Sequence, residues 1–138
     1  MIDQAEERRE VLFRIARWFE RNGFFTRVND GHRCLRALEV EGRHLHPQLE
    51  VWEGTQIVRF VEVETAATLN EEAPLRWKCF LGPDVRLHVY VPSPLLELAW
   101  DLRNRFEAFG AHLLTYDLQS IDDLIAAWTP PERSHERA

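Results

Sequence analysis

Apolar positions along the chain follow two rhythms, and the alternation between them lays out the elements. From Asp3 to Asn22, the residues Leu12, Ile15, Ala16 and Phe19 recur at helical spacing, widened by Val11 and Trp18. That stripe predicts an amphipathic helix. Asp3 and Glu6 have capping-box spacing at its start, and Asn22-Gly23 supplies a left-handed stop. Glu6, Arg9, Glu10, Arg14 and Arg17 fall on the remaining, solvated surface. Phe24 to Val28 reads as a short strand closed by the turn residues Asn29, Asp30 and Gly31. The segment from His32 to Gly42 alternates, which permits a strand without requiring one. His46 to Trp52 is a strand that tolerates Pro47 at its start. Glu53-Gly54-Thr55 turns it back into Ile57 to Thr65, making a hairpin. A period of two puts Val58, Phe60, Glu62 and Glu64 on one face of the second strand, and Ile57, Val61 and Val63 on the other.

Beyond Thr65 the period lengthens. Asn70 is placed to cap a helix with Glu71 and Glu72 in its first turn, where the helix dipole favours acids. Leu75, Trp77 and Phe80 or Leu81 form its expected buried side, and Gly82-Pro83 ends it. Val85 to Val91 alternates strictly and is a strand. Ser93-Pro94 then reads as an N-cap followed by an N1 proline. The helix they open carries Leu95, Leu98, Ala99, Leu102, Phe106 and Phe109 at helical spacing, with Gly110 closing it. Ala111 to Leu118 is a last strand, and Ser120 with Asp123 caps a short helix through Trp128. The expected fold class is α/β, with a mixed central β-sheet flanked by helices. The strand at 85–91 should lie parallel to that at 57–64 through a right-handed crossover. Residues 1–129 read as a single domain, and 130–138 as a flexible charged tail.

Composition narrows the function classes. At 138 residues and 45% hydrophobic, the chain suits one domain with a real core. A net charge of −6 argues against a surface that grips nucleic acid all over, while leaving a local basic face open. Nothing approaches the run of about 18 apolar residues that a membrane helix needs. The charged N-terminus does not read as a signal peptide, and Cys34 and Cys79 make no disulfide framework, so a cytoplasmic location is expected.

Candidate chemistry gathers on the hairpin. Glu50 on one strand and Glu62 with Glu64 on its partner are costly to bury unpaired. They call for a cation, an Arg or Lys partner, or an exposed strand end. A divalent ion held by a few carboxylates can activate water and stabilise a phosphoryl transition state. Arg pairing at the rim of the sheet is the alternative.

The order of helix, hairpin with Pro47-Gln-Leu-Glu50 and Val61-Glu-Val-Glu-Thr65, helix with Arg76-Trp77, and Val89-Tyr-Val-Pro92 resembles the PD-(D/E)XK, restriction-endonuclease-like nuclease superfamily. It resembles in particular its small prokaryotic members with a Glu-Val-Glu-Thr strand. The likeness covers roughly residues 1–118 as layout, and its specific part is the hairpin. It implies an αβββαβ core and hydrolysis of DNA phosphodiester bonds with Mg2+ or Mn2+. It also implies Gln48, Glu50 and Glu62 as the metal set, with Glu62, Glu64 and Lys78 as catalytic candidates. Two departures stand out. Gln48 occupies the position of the expected metal-binding Asp, and Glu64 that of the expected lysine. Lys78, the sole lysine, is either a migrated catalytic lysine or a plain solvent-facing helix residue.

Two function classes therefore remain. One is a metal-dependent nuclease, weakened or inactivated by Gln48. The other is an inactive nuclease-like domain serving as a protein-interaction or assembly module, a homodimer included. His44-x-His46 lacks a second ligand pair and does not make a zinc set, though one of the two histidines could carry protons near the acids. Arg76-Trp77 with Arg33, Arg36, Arg43 and Arg59 could contact nucleic acid, or Trp77 could be core and the arginines balance the acids.

Overall fold

The structure, a computed structural model, describes residues 3–29, 38–40 and 43–117. The helix expected at 120–128 and the tail at 130–138 lie outside the described residues, as do Arg33, Cys34 and Arg36.

Helix α1 (Gln4–Arg21) begins where Asp3 accepts a 2.8 Å hydrogen bond from the Glu6 amide, so the predicted cap forms. Its stripe of Val11, Leu12, Ile15, Ala16, Trp18 and Phe19 is buried. The chain then enters β1 (Phe25–Val28), which pairs antiparallel with β4 (Leu49–Glu53). Between them, β2 (Leu38–Val40) and β3 (Arg43–Leu45) form a separate antiparallel pair. Strand β5 (Gln56–Val63) returns antiparallel to β4. Helix α2 (Glu72–Cys79) crosses to β6 (Arg86–Pro92), which is parallel to β5. A 3-10 turn (Ser93–Leu95) and α3 (Leu96–Arg105) lead to β7 (Ala111–Tyr116), parallel to β6. The five-stranded sheet runs β1-β4-β5-β6-β7, mixed as expected.

Each face of the sheet carries its own core. On one side, α1 packs with Leu49, Val51, Val61, Val63, Tyr90 and Leu114. On the other, Ala73 and Trp77 of α2 and Ala99 and Leu102 of α3 pack with Phe60, Leu87, Val89 and Leu113. The alternation of β5 and β6 sends each residue to the face its parity dictates.

One stretch breaks that parity. Val51 pairs with Arg59 and Trp52 with Ile57, so Val58 is an extra residue on β5. This β-bulge exchanges the faces predicted for Ile57 and Val58. Ile57 joins the α2–α3 core and Val58 packs toward α1. Just beyond, Gly54 turns the hairpin with φ +62°, while Thr55 keeps a negative φ. Glycine first and an ordinary residue second is the pattern of a type II′ turn.

The helices depart from expectation in smaller ways. Leu75, Leu98 and Phe109, predicted to be buried, are exposed. The stripes of α2 and α3 are narrower than expected: Ala73, Pro74 and Trp77 are the buried residues of α2, and Ala99 and Leu102 those of α3. Asn70 does cap α2, its Oδ1 accepting from the Glu72 amide at 2.9 Å. Ser93 caps nothing; its hydroxyl donates to the Tyr116 carbonyl at 3.1 Å, tying the end of β6 to β7. No described helix is long and apolar enough to cross a membrane.

Candidate functional site

Leu49, Val51, Val61 and Val63 point toward α1, so Gln48, Glu50, Phe60, Glu62 and Glu64 occupy the opposite face. The pairing of Leu49 with Val61 brings Gln48 beside Glu62 at the end of the β4–β5 ladder. All three glutamates are buried, with Glu62 2% exposed and Glu50 and Glu64 0%. The expected convergence of acids onto one face is therefore observed as strand geometry. The acids do not share partners, however.

Glu64 is held from α2 and the loop before it. It accepts from Trp77 Nε1 at 2.8 Å, from Arg76 at 2.9 Å and from Thr68 Oγ1 at 2.7 Å. The Arg76 contact is an ion pair between a half-buried guanidinium and a buried carboxylate. Of the partners foreseen for the acids, the cation that reaches Glu64 is an arginine. Trp77 is core, as its position beside Phe80 suggests, and its indole N–H is what finds the acid.

Glu50 is held near the other edge. It accepts from Trp52 Nε1 at 3.1 Å, with Asn29 Nδ2 at the limit of reach, 3.5 Å. Asn29 is buried and donates chiefly to the Pro47 carbonyl at 2.6 Å. Across the strands Glu50 lies one register step from Glu62, opposite Phe60.

Glu62 sits between them and meets Gln48. The Gln48 backbone N–H donates to Oε2 at 2.7 Å, and its side-chain Nε2 lies 3.4 Å from Oε1. The same side chain accepts from the Val63 N–H through Oε1 at 3.0 Å. Gln48 thus completes the ladder with its carboxamide as a peptide group would, and one end of that amide faces the carboxyl. Burial pushes the Glu62 carboxyl up to about 8, with the Glu64 charge adding to the rise. The Gln48 backbone bond, Arg76 and Arg8 oppose it. At neutral pH Glu62 is largely protonated.

A second tie runs behind the site. The Tyr116 hydroxyl lies between the Glu7 carboxylate of α1 and the Glu64 carbonyl, the latter at 3.0 Å. Burial and the neighbouring Glu7 raise the phenol, so it stays neutral. Ala67 N donates to Gln4 Oε1 at 2.7 Å, a further link from the β5–α2 loop to α1.

The remaining sequence candidates are not gathered here. Lys78 is exposed on α2. Arg59 is buried on the α1 face, its guanidinium 5.9 Å from the Phe19 ring, so it and Arg76 belong to opposite sides of the sheet. The side chains of Arg43 and His44 lie outside the described set. Among the described residues, no group of three or more His, Cys, Asp or Glu side chains is arranged to hold a metal ion. Asn29 and Tyr116 were missed in the sequence, one because it read as a turn residue and the other because its partners lie 52 and 109 positions away. No family model, curated protein or solved structure matches the chain.

Proposed function

We propose that the chain is a restriction-endonuclease-like domain of the PD-(D/E)XK type that does not hydrolyse phosphodiesters and acts as a protein-interaction or assembly module. The element order α1, β1, β4, β5, α2, β6 supports the ancestry, being an αβββαβ core with the hairpin carrying the acids. One observation carries the functional reading: the Gln48 carboxamide lies against Glu62 and Val63, where an Asp and a cation would be expected.

The donor set fits Mg2+ or Mn2+ poorly. Gln48 brings no charge, and its one good acceptor is used by the Val63 amide. Glu64 already has three donors, and Glu50 faces Trp52. A cation would have to displace these bonds and the Glu62 proton together. No catalytic step is assigned to Glu62, Glu64 or Lys78. Leu75 on α2 with Leu98 and Trp100 on α3 leave apolar side chains in solvent, which suits a module that binds another protein.

The test is a supercoiled-DNA nicking assay with Mn2+ on the parent protein and Glu62→Gln, alongside thermal shift with the metal. The expected result is no nicking and no metal-induced rise in Tm. Metal-dependent nicking by the parent that Glu62→Gln abolishes overturns the proposal.

A further inference from the structure

Strand β1 is an edge of the five-stranded sheet and pairs on one side only, with β4. Among the described residues, no strand lies along its other side. The Asn29 amide donates to the Gln48 carbonyl at 2.9 Å, in continuation of the β1–β4 pairing. Odd-numbered positions of β1 therefore turn their peptide groups toward β4, and alternation points those of Thr26 and Val28 out from the edge. The Thr26 side chain is tied to α1, its hydroxyl donating to Glu20 at 2.6 Å, so the edge presents backbone donors and acceptors.

Phe25 and Arg27 lie on the face that α2 and α3 cover at β5, β6 and β7, but no β1 residue belongs to that core. Phe25 is 58% exposed in consequence. The half-buried Arg27 has its guanidinium 5.8 Å from the centre of the Trp52 ring. Stacking engages the flat face of the group and leaves the N–H donors around its rim. Glu50 is directly across from Arg27, yet it takes its bonds from Trp52 and Asn29. Among the described residues, no carboxylate pairs with Arg27. An open edge, an exposed phenyl ring and an arginine without an acid thus meet on one strand.

Resting on the interaction-module reading, we propose that β1 takes up an extended segment of a partner protein as an antiparallel sixth strand, and that this segment sets a carboxylate opposite Arg27 and an apolar side chain opposite Phe25. Thr26 and Val28 supply the bonded positions of the new ladder. Arg27 then falls at a non-bonded pair, where facing side chains come closest. Because the strands run in opposite directions, the residue facing Phe25 follows the acid by two, so the segment reads Glu-x-apolar. A second copy of the chain does not supply it. In a β1–β1 pair, the register that bonds both Thr26 and Val28 sets Arg27 against its own counterpart, a like-charge contact. The opposite edge of the sheet, β7, is Ala-His-Leu-Leu-Thr-Tyr and has no acid.

Fluorescence polarisation on the full chain tests this with two labelled peptides, Thr-Val-Glu-Thr-Val-Thr and the same sequence with Lys in place of Glu. The Glu peptide should bind saturably, and the Lys peptide about tenfold more weakly, because repulsion replaces attraction opposite Arg27. Arg27→Glu should reverse that order. If that variant does not fold, Arg27→Gln takes its place and should bind the two peptides alike. In amide hydrogen exchange, the Glu peptide should slow Thr26 and Val28, while the Arg27 amide, already turned to β4, stays as it was. No saturable binding of the Glu peptide up to about 1 mM overturns strand addition. So do equal binding of both peptides by the parent, an order of affinities unchanged in the Arg27 variant, or protection that appears away from β1. The DNA-nicking assay keeps the two readings apart: a chain that neither nicks DNA nor takes the peptide loses strand addition alone.

Discussion

Gln48 and Glu62 are joined through both oxygens of the carboxyl group, Oε2 taking the Gln48 backbone N–H at 2.7 Å and Oε1 facing its side-chain Nε2 at 3.4 Å. A carboxyl engaged in this way beside an uncharged neighbour has no need of a cation. Replacing the neighbour by an acid changes that balance. Gln48→Asp puts a second carboxylate against Glu62 and removes the acceptor of the Val63 N–H. Without metal the variant should be less stable than the parent by about 1–3 kcal/mol, the cost of an unmade buried hydrogen bond. If Mn2+ then binds, metal at about 100 times its Kd should restore about 2.7 kcal/mol. Thermal denaturation with and without Mn2+ reads both effects, and a Gln48→Asp variant as stable as the parent and indifferent to Mn2+ would contradict this account.

The Glu62 carboxyl also predicts how stability depends on pH. Its folded value of about 8 lies above the ordinary carboxyl value of 4.5, so the native state holds the extra proton between these limits. Stability from this group is complete below pH 4.5 and is lost as pH rises through 8. His88 acts with the opposite sign, because its folded value of about 3 lies below 6.5 and the unfolded chain takes the proton. That contribution is lost as pH falls from 6.5 toward 3. The two oppose each other up to pH 6.5, and from there to 8 Glu62 acts without that opposition. The Tm should therefore fall from pH 6.5 to beyond 8, and Glu62→Gln should flatten the slope in that window. An equal slope in parent and variant would show that another group titrates there.

The Arg76–Glu64 pair should be worth more when broken than when absent. Arg76→Ala leaves a fully buried carboxylate without its guanidinium, for an expected loss of about 3 kcal/mol. Arg76→Ala combined with Glu64→Gln removes the charge as well, and should cost less than the sum of the two single changes. A double-mutant cycle by urea denaturation measures the coupling. Simple additivity would mean that the bond contributes little and that Trp77 and Thr68 satisfy Glu64 by themselves.

Tyr116→Phe removes the hydroxyl shared by Glu7 and the Glu64 carbonyl and keeps the ring in the core. The expected loss is about 1 kcal/mol of global stability, the net worth of one hydrogen bond. Because Glu7 lies in the first turns of α1, amide exchange should quicken there more than at its C-terminal end. Uniform exchange along α1 would argue that the tyrosine does not anchor the helix start.

Much of the scaffold could be read from period alone. The strict alternation of Val85 to Val91 placed β6, and the alternation of Phe60 to Glu64 correctly put Glu62 and Glu64 on one face. The exchange of Ile57 and Val58 could not be read, since a bulge is set by pairing with another strand and leaves no mark on the strand's own pattern. Leu75 and Leu98 misled because apolar residues are not confined to cores, whereas buried alanines such as Ala73 and Ala108 carry little signal. At the acid site the sequence supplied the residues and their shared face but not their allegiances. Glu64 belongs to α2 through Trp77, Glu50 to Trp52, and Glu62 to Gln48. Those bonds depend on the ladder ending at Leu49 and Val61, which leaves the Val63 N–H for a side chain to satisfy.

The extra residue at Val58 has one more consequence. The hairpin tip and the acid-bearing half of β5 lie on opposite sides of that irregularity. A change in tip length tends to shift register, and a shift of one residue would turn Glu62 and Glu64 over to the α1 side. A strand that already accommodates one unpaired residue between tip and acids has a place to absorb such a slip. The tip can therefore vary in length and composition as a separate unit, tolerant of insertion, while the acid face keeps its phase.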